Sequence, residues 1–104
     1  MSVFCVEPTA DQRLDEIYEF TADLWGEQQA DLYIQRLFDR FAAIAARRVP
    51  WRALPPDFGV PLYFARAEHH VVYWRERADR AIGIVTILHE RMHQLERLRA
   101  VWEP

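Results

Sequence analysis

Lysine is absent from the 104 residues, and all thirteen basic residues are arginine. Biased codon usage accounts for this without any functional demand for guanidinium geometry. The single cysteine, Cys5, excludes a disulfide within the chain and makes a reducing compartment the default. The three glycines, Gly26, Gly59 and Gly83, stand apart, so no glycine-rich phosphate loop is present. No apolar run approaches the roughly 20 residues needed to cross a bilayer. The opening MSVFCVEPTADQ lacks the basic region and apolar core of a secretion signal. A cytoplasmic protein is expected, with no membrane partner. A basic excess is missing too. Net charge is -3, with nine acids against five arginines in residues 1–50 and seven acids against eight arginines in residues 51–104. Strong direct nucleic-acid binding is therefore not expected, and only a local arginine patch is left to touch RNA.

What is present suits one compact domain over residues 1–104, with 51% hydrophobic residues and a modest core. Val3 to Val6 is a short β-prone run ended by Pro8. In TADQ, Thr9 can cap a helix while Gln12 returns to the cap amide. Leu14, Ile17, Tyr18, Thr21 and Leu24 then follow at helical spacing, predicting a helix over about 10–24 that Gly26 interrupts. A second helix is predicted over about 27–47. Its apolar stripe is Ala30, Tyr33, Ile34, Leu37, Phe38, Phe41, Ile44 and Ala45, and Pro50 stops it. The segment PWRALPPDFG reads as loop, tucked onto the core by Trp51, Leu54 and Phe58.

Three strands are predicted next, over about 62–67, 69–76 and 81–88. The last, AIGIVTIL, is rich in β-branched residues and nearly all apolar, as a central covered strand would be. Residues 89–101 are predicted partly helical, with Met92, Leu95, Leu98 and Val101 three apart. The order β-α-α-β-β-β with a short C-terminal helix gives an α+β fold, a helical hairpin packed on one face of a small mixed sheet. Phe38, Phe41, Tyr73, Val85 and Ile87 are expected to be mostly buried. Cys5 is expected to behave as a small core hydrophobe.

LHERMH, residues 88–93, contains the H-E-x-x-H spacing of zinc proteases. On a helix His89 and His93 would share a face and Glu90 could activate a bound water. That chemistry needs a helix already under way at His89. Instead His89 directly follows a strand, and little chain remains for a third ligand, with His69 and His70 as the candidates. The spacing reads as chance, and no metal or cofactor is expected.

Three stretches together resemble the ParE/RelE toxin superfamily, its ParE-like branch in particular. ADQRLDEIYEF with WGEQQADLY, residues 10–20 and 25–33, is similar to the family's opening helix, glycine break and A-x-x-Y second helix. HVVYWR, residues 70–75, resembles its central strand. IVTILHERMH, residues 84–93, resembles its closing strand and I-L-H-x-R-M-D ending, with His93 where Asp is usual. The resemblance covers about residues 3–98. It implies a RelE/ParE-like fold and a toxin of a type II toxin–antitoxin system. A cognate antitoxin would neutralise it, in a heterotetramer or larger complex, and plasmid stabilisation is the associated role. ParE-like members inhibit DNA gyrase by binding it, which makes the chain an inhibitor rather than an enzyme. On that reading Arg91, Arg97, Arg99 and Trp102 are the target-binding residues, on a segment placing Arg91, Leu95, Leu98 and Trp102 at a mobile edge. The same spacing would serve equally to close the core. RelE-like relatives cut messenger RNA on the ribosome. On that alternative His70, His89 and Arg91 would be catalytic, with Arg75 and Arg66 as further cations. Pro61-Leu62-Tyr63 stands where the family often has arginine, which leaves a third reading, a toxin fold that has lost its target. Some of the abundant aromatic surface is expected to serve the antitoxin interface.

Overall fold

The structure, a computed structural model, describes residues 3–92 and 94–102. The first strand, β1 (Phe4–Val6), leads through Glu7 into α1 (Pro8–Trp25). Pro8 occupies the first helical turn, where its fixed φ is favourable and its missing N–H costs nothing. The helix therefore starts earlier than Thr9 suggests. Glu7 is the capping residue, and no side chain caps the helix. Gly26, at φ 93°, breaks the chain between α1 and α2 (Glu27–Ala45).

The second helix ends short of the predicted residue 47. Arg47 takes a left-handed conformation, φ 62°, and the Arg48 amide bonds back to the Ala43 carbonyl at 2.9 Å. The Trp51 indole then donates to the Ile44 carbonyl at 3.0 Å, and the Arg47 guanidinium lies 3.5 Å over its ring. Trp51 thus closes the helix end and fastens the loop. That loop is not structureless. It holds a two-residue strand, β2 (Arg52–Ala53), and a 3-10 turn over Pro56–Phe58.

The strands β3 (Tyr63–Ala67), β4 (His70–Glu76) and β5 (Ile82–His89) complete a five-stranded sheet of order β1-β5-β4-β3-β2. Only β1 runs parallel to its neighbour, and the other pairs are antiparallel. The near-continuous apolar run of β5 reflects its central place, covered on both faces. One face carries Val72, Trp74, Ile82, Ile84 and Ile87 against Leu14, Ile17, Leu37, Phe41 and Ile44 of the helical hairpin. The other carries Tyr73, Val85 and Leu88 under the loop residues Val60 and Leu62 and under Leu98 of a last helix, α3 (Gln94–Val101). A bulge opposite Tyr73 and Trp74 places one extra residue in β5, which is why Ile84 and Ile87, three apart, share the helix-facing side.

Phe41, Tyr73, Val85 and Ile87 are buried as expected, whereas Phe38 is only partly buried, at the edge of the cluster with Phe4. Cys5 is partly exposed and accepts a contact from the Arg77 guanidinium. None of the described helices is long and apolar enough to cross a membrane.

Candidate functional site

The last turns of α1 overhang the sheet. Its buried residues are Ala10, Leu14 and Ile17, and none follows. Phe20, Leu24 and Trp25 are consequently 67%, 58% and 73% exposed, although Leu24 sits on the predicted apolar stripe. Beneath this overhang lies a cleft of about 810 Å³ between α1, α2, the β3–β4 turn and the end of β5. Ile17, Phe20, Trp25 and Met92 supply apolar walls, and Tyr33, His70 and His89 supply a polar floor.

The floor is a connected network. The His69 amide donates to the Tyr33 hydroxyl at 3.1 Å, and the hydroxyl shares a 2.6 Å hydrogen bond with His70 Nδ1. Burial, and then the neighbouring His89, Arg13 and His69, push the His70 pKa down to about 4. His89 pairs with His70 across the strands, their rings edge to face at 5.3 Å, and its Nδ1 accepts the Arg91 amide. Burial raises the Tyr33 phenol above its ordinary value, against the lowering effect of the His69 amide. Arg13 closes the floor by donating to the Ile87 carbonyl at 3.0 Å while pairing with Glu16. Glu68, in the turn on the rim, holds φ 56°, a left-handed conformation that costs a non-glycine residue about 1–2 kcal/mol.

The cleft brings His70 and His89 together, but Arg91 is exposed and lies outside its lining. Arg66 is paired with Glu90, which also faces His69, and Arg75 is paired with Glu7. His89 ends a strand and Glu90 stands in a turn, so the helix that H-E-x-x-H needs does not begin at His89. His93 lies outside the described residues. Among the described residues no group of three or more His, Cys, Asp and Glu is placed to hold a metal ion.

The C-terminal candidates take two different positions. Leu98 is fully buried, not at a mobile edge, and Trp102 packs beside it against the second cluster. Arg99 turns back toward the Asp57 and Phe58 carbonyls, while Arg91 and Arg97 are exposed.

A family model for the ParE toxin of type II toxin–antitoxin systems, parDE, matches residues 6–94. The chain belongs to the ParE toxin family. It is 35% identical to Toxin ParE of Escherichia coli over 98 residues, 94% of each chain. It is 33% identical to Toxin ParE1 of Mycobacterium tuberculosis over 92 residues, 88% of this chain and 92% of that one. The fold is shared with a structure of the chromosomal ParDE TA system from P. aeruginosa, with a TM-score of 0.71 at 20% identity, covering 86% of this chain and 96% of that chain. In this ParE-family chain, sequence reading missed the roles of Tyr33, Arg13 and Glu7. Tyr33 was visible only as part of an apolar stripe, because its hydroxyl finds its partners on β4 and the adjoining turn.

Proposed function

We propose that this ParE-family chain inhibits DNA gyrase through a protein–protein contact and is neutralised by a cognate antitoxin. The observation that carries binding over chemistry is the state of His70. It is buried, neutral and held by Tyr33, and the cation proposed to act with it, Arg91, lies outside the cleft. General acid–base cleavage of RNA requires groups that reach the substrate and titrate near working pH. The exposed basic side chains Arg91 and Arg97 lie on and before α3, with Trp102 closing that segment, and they form the target-binding surface with Arg99.

The antitoxin takes the side of the helical hairpin. Phe20, Trp25 and the cleft beside them offer apolar anchors. Residues 14–35 contain Asp15, Glu16, Glu19, Asp23, Glu27 and Asp31 and no basic residue. An amphipathic antitoxin segment with apolar anchors and basic flanks complements that surface.

The test is a supercoiling assay with purified gyrase, with and without the antitoxin. Wild type should block supercoiling and accumulate linear DNA, and the antitoxin should relieve both. Replacing Arg91 and Arg97 together by Ala should weaken inhibition at least tenfold or so, as loss of two interface arginines does, with unchanged circular dichroism. Unaffected supercoiling at saturating protein would refute the gyrase reading. Cleavage of ribosome-bound message at discrete codons would establish the nuclease alternative in its place.

A further inference from the structure

Outside the cleft a bidentate carboxylate–guanidinium fork spans the central strand. Arg75 Nε and Nη2 donate to Glu7 Oε2 and Oε1 at 3.0 and 2.7 Å. Glu7 follows β1 and Arg75 belongs to β4, with β5 running between them. The residue of β5 directly opposite Arg75 is Gly83. A Cβ built there would stand 2.1 Å from Glu7 Oε2, so only glycine leaves room for the fork. On its other side the Arg75 guanidinium lies 5.6 Å over the Trp102 ring, within cation–π range. Arg75 is thus held between a carboxylate from the beginning of the domain and an indole from its end.

This bears on α3 because that helix has few anchors. Gln94 ties its first turn, donating to the His89 carbonyl and accepting the Tyr73 hydroxyl. Leu98 fills the core in its middle. In its last turn Arg99 reaches the Asp57 and Phe58 carbonyls, and just past its end the Trp102 ring lies under the Arg75 guanidinium. The bidentate pair with Glu7 sets the plane that the guanidinium presents to Trp102.

We infer that Glu7, through Arg75 and over Gly83, is a positioning residue that holds the end of α3 and sets the presentation of the target-binding arginines. The mechanism is preorganisation. A helix of eight residues has little intrinsic stability, so its docked state depends on contacts at both ends. The role for inhibition rests on the gyrase reading, whereas the role in holding α3 does not.

Two variants of the full chain test it by different routes. Glu7→Gln keeps shape and removes the charge. Gly83→Ala keeps the charge and displaces the carboxylate. In hydrogen exchange both should speed amide exchange over residues 96–101 about tenfold, the change produced by losing roughly 1.4 kcal/mol of local stability. Amides of α2 and β4 should keep wild-type rates. Trp102→Phe, which retains a ring over Arg75, should shift the same amides less than either. Unchanged exchange over 96–101 in Glu7→Gln would overturn the inference. So would a rise spread evenly over α2, β4 and α3, since that marks a general structural role. If Gly83→Ala fails to fold, Glu7→Gln alone decides. In the supercoiling assay Glu7→Gln should weaken inhibition about tenfold by the same arithmetic. A wild-type chain inert toward gyrase refutes the target, and the exchange data then decide the positioning role separately.

Discussion

At His70 burial works against the charged ring, and stability should follow pH as a result. Nδ1 is hydrogen-bonded to Tyr33, and burial keeps the ring neutral, with its pKa lowered to about 4 from 6.5. The unfolded chain therefore binds more protons than the folded one between those values. Stability from this group is complete above pH 6.5, falls as pH drops toward 4 and levels off below. The whole effect is roughly 2–3 kcal/mol. His70→Asn can keep a hydrogen-bond partner for Tyr33 without titrating. Urea unfolding at pH 7 and pH 4.5 should show wild type losing more stability than the variant over that interval, and equal losses would contradict the assignment. Strand alternation in the sequence groups His70 with Val72 and Trp74 on one face without saying which face meets the helices, and the structure turns that face to the helical hairpin. Alternation could not show Tyr33 or Arg13, because those contacts join residues from different elements.

Elements were legible where periodicity was regular. Both long helices, the apolar central strand and the C-terminal helix appear where spacing put them. Departures came where one local force displaced another. Pro8 started α1 ahead of Thr9, and a left-handed Arg47 ended α2 early. The bulge in β5 put Thr86 in a fully buried position where its hydroxyl has no hydrogen-bond partner. Thr86→Val should raise stability by about 1 kcal/mol, because it removes an unpaired buried polar atom at constant shape. A loss in chemical denaturation would show that the hydroxyl does find a partner. Three-residue spacing in α3 left packing and display equally open. Burial decides for packing at Leu98, so Leu98→Ala should cost about 2–5 kcal/mol, while Leu95→Ala, at a partly exposed position, should cost clearly less in the same measurement.

For the molecule as a whole, one proposed interface lies under the helical overhang and the other along α3, and they adjoin at Arg91, whose amide bonds to His89 on the cleft floor. Aromatic content in the sequence raises the expectation of an interface, and the exposed rings Phe20 and Trp25 stand where α1 outruns the sheet. Phe20→Ala and Trp25→Ala should each weaken antitoxin binding by about tenfold or more, as truncation of an exposed aromatic anchor does. Their thermal midpoints should stay at wild type, since neither ring is buried. Calorimetric titration with the antitoxin, alongside thermal melts, separates the two effects. Undiminished affinity in both variants would move the antitoxin elsewhere.

The parallel pairing of β1 with β5 has a consequence in time. Phe4 aligns with Ile82 and Val6 with Ile84, so β1 must wait for β5, made much later, before it can pair. Every neighbour of β5 shares that delay, because the strand made last of the five stands inside the sheet. The helical hairpin can form early from local contacts, but its apolar face has no complete sheet to cover until β5 emerges. A nascent chain halted before residue 82 therefore has neither a finished core nor α3 to dock on it.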